Sequence, residues 1–329
     1  MKRVEITSYG VPEHVAHCVE APDVGTPAAG EVTFEVLATP INPADVMFCA
    51  GGYRLKPPLP ATPGAECVGR VLAIGDGVSH VAPGDLVINL QRENWAQRRR
   101  VKGDDVICLP TGIDVKQAAM IRINPPTAHL MLTDLVNLRP GEWVLQNAAN
   151  SAVGRLLIRF ARARGLRTVN VVRREALFAE LKTLGADVCL IDGPDLPSQV
   201  SSAVDGAPIR LALDAVAGQA TQRLAASVAD GGTVCNYGAM TEAEVTVAYS
   251  DLIFRGVSVV GFMLGRALAR RSLAEVRALY AEIAGQVRTD GLQAPVEAIY
   301  PIEEIGAALA HAQRPGRGGK VLVAPNDVI

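Results

Sequence analysis

Apolar and polar residues alternate over short stretches in the first third of the chain, in "EVTFEVLAT", "ECVGRVLAIG", "GDLVINL" and "RRVKGDDVICLP", each bounded by glycine or proline. Period-two alternation between turn residues predicts short β-strands and a β-rich, barrel-like or sandwich-like lobe. From about residue 116 the period changes. The run "DVKQAAMIRINPPTAHLMLTDLV" is predicted helical, with a break or kink at Pro125 and Pro126, because proline lacks the backbone donor and clashes with the preceding turn. Beyond it, strands "EWVLQNA", "LRTVNVV", "DVCLID", "IRLALDAV", "GTVCNYG" and "GVSVVGFML" are interleaved with helices "SAVGRLLIRFARARG", "REALFAELKTLG" and "AGQATQRLAASVAD". That order predicts an α/β fold: a six-stranded, doubly wound parallel sheet of right-handed βαβ units, a complete dinucleotide-binding (Rossmann) sheet.

A long helix follows, from an N-cap at Ser272 to Gly291, and then strand, helix and strand. The last strand, in "GGKVLVAP", has no βαβ partner near it in sequence and is placed back in the β lobe, making that lobe discontinuous. The expected domains are therefore 1–118 with 290–329 for the β-rich catalytic lobe and 119–289 for the cofactor lobe.

Composition narrows the function. A chain of 329 residues is comfortable for two domains with a cleft between them, and 49% apolar against 20% charged residues allows a full core. The net charge of −2 gathers neither nucleic acid nor anionic lipid, and "QRRRVK" and "RALARR" read as solvated faces. The start, "MKRVEITSYGVPEHV", lacks an apolar signal core, and no apolar run reaches the roughly 18 residues of a membrane span, so a cytoplasmic protein without a membrane partner is expected. Cys18, Cys49, Cys67, Cys108, Cys189 and Cys235 form no Cys-x-x-Cys pair and read as reduced, structural thiols; with the histidines dispersed as well, no metal site is expected.

The candidate chemistry begins in "WVLQNAANSAVGRLLIRFARARG". A Gly-x-Gly-x-x-Gly fingerprint laid over it with its last glycine on Gly154 finds Ala149 and Ser151 at the earlier glycine positions. Both are small, so the backbone can still approach a pyrophosphate at the helix N-terminus, while Ser151 and Asn150 add hydrogen-bonding groups. About twenty residues further on, where NAD-binding chains place a carboxylate for the ribose hydroxyl, stand Arg173 and Arg174. Two guanidiniums suit a 2′-phosphate and favour NADPH.

These features and the segments "INPADVMFCAGGY", "GAECVGRVLAIGDGVSHVAPGDLV", "INPPTAHLML", "YGAM", "GFML" and "GGKVLV" resemble the medium-chain dehydrogenase/reductase superfamily over nearly the whole chain, and within it the mitochondrial-type trans-2-enoyl thioester reductases. The resemblance implies a GroES-like β lobe and a likeness to quinone oxidoreductases. The zinc-dependent relatives carry a catalytic cysteine, a Gly-His-Glu and a four-cysteine lobe, where this chain reads Ala44-Asp45, Gly64-Ala65-Glu66 and a tight passage from Leu90 to Val101. Zinc is therefore not expected, and an activated C=C bond that needs only hydride and a proton is the implied substrate.

In the enoyl reductases the tyrosine after Asn-Pro-x-Asp donates the proton or polarises the carbonyl, and it matches Tyr53; Asn42 matches the support of the nicotinamide side, or anchors an Asx turn before Pro43. The implied cofactor contacts are Asn124, then Asn150, Ser151, Ala152 and Val153, then Arg173 with Arg174 beside it, then Tyr237, Gly238, Ala239 and Met240, then Phe262, Met263 and Leu264, and finally Lys320. Several positions depart from the family pattern: Glu175 stands at the second basic position, Met263 replaces a tryptophan, Pro126 replaces a cysteine, and His129 replaces a tyrosine on an apolar helix, where it reads as a packed or surface residue. The resemblance implies a CoA or acyl-carrier thioester substrate, a role in fatty acid metabolism and a homodimer. An NADPH:quinone or alkenal reductase is the alternative, and a non-catalytic NADPH-binding regulator is the third reading.

Overall fold

The structure is a computed structural model that describes residues 1–54, 56–289 and 292–326. Its strands in chain order are β1 (Lys2–Ile6), β2 (Ala16–Glu20), β3 (Glu31–Pro40), β4 (Val68–Ile74), β5 (Leu86–Asn89), β6 (Arg98–Lys102), β7 (Val106–Cys108), β8 (Trp143–Gln146), β9 (Arg167–Val172), β10 (Val188–Ile191), β11 (Ile209–Asp214), β12 (Thr233–Asn236), β13 (Ser258–Gly261), β14 (Val296–Pro301) and β15 (Lys320–Ala324). The chain divides into two compact units, 1–123 with 272–329, and 124–271. The boundaries expected at 118/119 and 289/290 therefore move, because the helix Leu273–Thr289 belongs with the β-rich unit, where Tyr280 is fully buried and donates to the carbonyl of Arg122 (2.8 Å).

In the first unit, β14, β15, β3, β4, β5 and β7 run side by side and β6 pairs with β3. Inward residues of β3, β4, β5 and β6, among them Val32, Phe34, Val36, Val71, Val87 and Val101, form one apolar cluster. A second gathers Val4, Ile6, Phe48, Trp95, Leu309 and Val321. The last strand does return to this lobe, pairing antiparallel with β3, but it also has a βαβ partner: β14, the helix Ile305–Ala312 and β15 make a parallel unit of their own.

In the second unit the sheet order is β10-β9-β8-β11-β12-β13, all parallel, with the reversal beside β8 that defines a doubly wound nucleotide-binding sheet. β8 is buried along its whole length, as a strand covered by helices on both faces must be.

Several local expectations change. Pro125 and Pro126 open a helix rather than break one: Val115–Ala118 ends before them and Asn124–Asp134 begins with them, at positions where a missing N–H costs nothing. Two short helices, Leu196–Ala203 and Tyr249–Ile253, fill segments with no clear helical pattern; "LPSQVSSA" is serine-rich and shows only Leu196 and Val200 to the core. Ser272 caps its helix as expected, accepting from the N–H of Glu275 (3.3 Å) while Glu275 accepts from the N–H of Ser272 (2.8 Å). Gly291, expected at the other end, lies outside the described residues. Cys108 is exposed and Cys18 half-buried, while the other four cysteines are buried. Burial pushes the thiols of Cys49, Cys67 and Cys235 up to about 12. No helix among the described residues is long and apolar enough to cross a membrane.

Candidate active site

The second unit carries the nucleotide turn at the carboxyl ends of its strands, where open parallel sheets bind ligands. Ser151 is the N-cap of the helix Ala152–Ala163, accepting from the N–H of Gly154 (3.1 Å). Ala152 and Val153 form the first helical turn, half-buried. Asn150 is exposed, and its carbonyl accepts from Arg155 Nε (3.0 Å). Gly154 is pressed on the turn itself: a Cβ there would meet the Cα and carbonyl oxygen of Ala149 at 2.7 Å. Ala149 is fully buried, its methyl part of a cluster with Ile158, Val172 and Leu181. The position read as a lost glycine is therefore a core contact. Behind the turn, Gln146 Nε2 donates both to the carbonyl of Gly154 (3.0 Å) and to Asn170 Oδ1 (2.7 Å), tying β8 to β9 and to the helix.

Asp214, at the end of β11, is a buried hub unforeseen in the sequence reading. Its Oδ1 accepts from Asn147 Nδ2 (2.6 Å) and from the N–H groups of Val216 (2.9 Å) and Ala217 (3.1 Å). Its Oδ2 accepts from Thr221 Oγ1 (2.6 Å) and Asn236 Nδ2 (3.0 Å). A carboxylate can be buried at such a cost only when its lone pairs are filled. Here they lock the ends of β8, β11 and β12. The one signal was an acidic residue ending an apolar strand, in "IRLALDAV".

Tyr237 follows β12, its N–H on the carbonyl of Asp214 (2.9 Å), and its hydroxyl is buried with no partner of regular hydrogen-bond geometry. Burial raises this phenol's pKa, and the neighbouring Ser151 hydroxyl offsets part of the rise. The carbonyl of Gly238 accepts from Asn236 Nδ2 (2.9 Å), while Ala239 and Met240 are exposed. Phe262 follows β13 with its N–H on the carbonyl of Asn236 (2.9 Å); Phe262 and Leu264 are half-buried and Met263 is exposed. Asn124 is half-buried at the first position of its helix. Arg173 and Arg174 lie just past β9, both exposed. The Tyr237 hydroxyl buried beside Ser151, the glycine-tight helix N-terminus and the exposed guanidinium pair together fit a phosphorylated dinucleotide.

The first unit holds a separate cluster. Asn42 precedes the helix Pro43–Ala50, and its backbone N–H donates to Asp45 Oδ2 (3.0 Å). Its side chain does something else: Nδ2 donates to Glu66 Oε1 (2.8 Å) and Oδ1 accepts from Lys320 Nζ. Glu66 Oε2 accepts from the N–H of Ile123 (3.0 Å). Burial pushes the carboxyls of Glu66 and Asp45 up, opposed chiefly by Lys320 and by Arg92 respectively. Burial also pushes Lys320 down, against the pull of Glu66 and Asp45. The Lys320 ammonium is thus engaged inside the β-rich unit.

Gly51 ends the helix with φ of 80°, a left-handed turn in which a Cβ would strike Tyr9 at 2.9 Å. That turn brings the N–H of Tyr53 onto the carbonyl of Met47 (3.1 Å), and the Tyr53 ring packs half-buried against the cluster containing Phe48. His129 is half-buried with its ring edge-on to Phe160 (5.6 Å between centroids), the packed environment expected of it.

Comparison with known proteins agrees with this architecture. Residues 28–124 match the family model of the alcohol dehydrogenase GroES-like domain, and 152–282 that of the zinc-binding dehydrogenase domain. The Bos taurus mitochondrial enoyl-[acyl-carrier-protein] reductase is 35% identical over 322 residues, 95% of this chain and 86% of its own. Among solved structures, a Bacillus thuringiensis protein provisionally assigned as an NADPH:quinone reductase superposes with a TM-score of 0.92 at 27% identity, covering 98% of each chain. The Etr1p/NADP/crotonyl-CoA complex superposes with a TM-score of 0.86 at 26% identity, over 98% of this chain and 99% of that one. The chain belongs to the medium-chain dehydrogenase/reductase superfamily of oxidoreductases and, within it, to the zinc-free branch of the mitochondrial-type enoyl thioester reductases.

Proposed function

We propose that the protein is an NADPH-dependent reductase of a trans-2-enoyl thioester, carried on CoA or on an acyl carrier protein. The observation that carries this reading is the match over 98% of the chain to the fold solved with NADP and crotonyl-CoA. When bound, NADPH would supply the hydride for Cβ. Ser151 and the amides of Ala152 and Val153 would hold its pyrophosphate at the positive end of the helix, with Asn150 at the rim. Arg173 and Arg174 would take the 2′-phosphate; Asn124, Tyr237 to Met240 and Phe262 to Leu264 would line the rest. Asn42, polarised between Lys320 and Glu66, would orient its surroundings without itself changing charge.

Hydride addition at Cβ leaves an enolate whose oxygen needs a donor and whose Cα needs a proton, and the Tyr53 phenol can supply both. Tyr53→Phe should lower kcat on crotonyl-CoA by roughly 10²- to 10³-fold while NADPH binding, followed by nicotinamide fluorescence, changes less than about twofold. Near-wild-type turnover would remove Tyr53 from the chemistry. The same variant separates the second reading, NADPH:quinone or alkenal reduction, which the Bacillus thuringiensis structure supports. A quinone reductase of this fold would keep its rate without the phenol. We also infer a homodimer formed along β13, one of the two edge strands of the six-stranded sheet.

A further inference from the structure

We propose that Arg92 is a positioning residue for Tyr53, holding its ring and meeting the charge that gathers on its oxygen as the phenol gives up a proton. The inference rests on the donor role of Tyr53 proposed above. Arg92 lies in the turn after β5, and two buried asparagines build that turn. Asn89 Nδ2 donates to Asn94 Oδ1 (2.7 Å), and Asn89 Oδ1 accepts from the N–H of Gln91 (3.0 Å). Asn94 Nδ2 donates to the carbonyls of Gln91 (2.8 Å) and Gly64 (3.2 Å). Glu93 has φ of 69°, a left-handed conformation that persists in a non-glycine residue only where its surroundings impose it. Arg99 Nη2 donates to the carbonyl of Arg92 itself (3.2 Å).

So constrained, the Arg92 guanidinium lies 5.0 Å from the ring centroid of Tyr53 and 5.7 Å from that of Phe48. Its Nη2 stands 3.6 Å from Asp45 Oδ1, and neither atom has a hydrogen-bond partner among the described residues. The fully buried carboxylate anchors the guanidinium by charge, without the forked hydrogen bonds that would hold it edge-on and away from the ring. Arg92 is in turn the largest influence opposing the burial that pushes the Asp45 carboxyl up.

In the proton transfer the phenol O–H bond breaks as the C–H bond at Cα forms, and the phenolate left behind regains a proton from water. A cation on the ring stabilises that phenolate by Coulomb attraction and fixes the plane of the ring that carries the hydroxyl. None of the residues assigned to NADPH takes part, so the effect belongs in kcat.

The test is a double-mutant cycle on the full chain with NADPH and crotonyl-CoA. Arg92→Met should lower kcat about tenfold or more, with KM for NADPH changed less than about twofold. Arg92→Lys, which keeps the cation, should recover at least about a third of the wild-type rate. In a Tyr53→Phe background Arg92→Met should cost less than about twofold, because the group it serves is gone. Equal losses in both backgrounds, or an unchanged kcat, would overturn the proposal. Since Arg92→Met leaves Asp45 buried without its cation, Arg92→Met with Asp45→Asn is the second variant and should show the same pattern. The two readings fail separately. A Tyr53→Phe enzyme at near-wild-type rate ends the donor role and this inference with it; a collapsed Tyr53→Phe enzyme beside an unimpaired Arg92→Met ends this inference alone.

Discussion

Arg173 and Arg174 stand exposed just past the end of β9, and this geometry leaves both guanidiniums open to a ligand. With Arg173→Ala, KM for NADPH should rise roughly tenfold, about 1.4 kcal/mol of lost binding, while KM for NADH moves less than twofold. Equal changes for both nucleotides in steady-state kinetics would refute the 2′-phosphate role. The place of these two residues just past β9 was legible in the sequence because it is set by distance along one βαβ unit from Gly154. Asp214 was not, since its donors come from Asn147, Val216, Ala217, Thr221 and Asn236, and only the folded sheet assembles them. Asn42 was singled out, yet its place between Glu66 and Lys320 depends on strands far apart in the chain.

At the scale of elements, the nucleotide turn and the long C-terminal helix make opposite demands on glycine. Gly154→Ala would drive a methyl to within 2.7 Å of backbone atoms in the turn, which cannot give way as a side-chain tip can. It should destabilise the protein by about 1–3 kcal/mol and weaken NADPH binding, seen as a lower melting temperature and a higher Kd. Gly285, inside the helix Leu273–Thr289, has nothing among the described residues within 4 Å of an added Cβ. Gly285→Ala should raise stability by about 0.5–1 kcal/mol by the same calorimetry, through helix propensity alone. Element type followed the apolar period well in both lobes. It misled at Pro125 and Pro126, where the proline rule was right but the helix boundary lay before them, and at Leu196–Ala203, where two buried residues suffice for a helix that composition disguises.

On the scale of the molecule, the edge strand β13 is accompanied by exposed apolar residues: Tyr249 (71%), Ile253 (69%) and Phe254 (76%), the first and last ring to ring at 6.3 Å. A second copy of the chain would cover them. Ile253→Asp with Phe254→Asp should convert the proposed dimer to a monomer in sedimentation equilibrium, and a wild-type protein already monomeric at micromolar concentration would dispose of the idea.

What the sequence by itself determined is the alternation of strand and helix, the doubly wound sheet, the tight strand–turn–helix at Gly154 and the family, because each is carried by short-range spacing. What only the tertiary structure decided is which distant groups meet in low dielectric: Asn42 between Glu66 and Lys320, the five donors on Asp214, and Arg92 on the ring of Tyr53. Their burial and charge coupling arise when strands far apart in the chain pair and exclude water, and no local pattern encodes that.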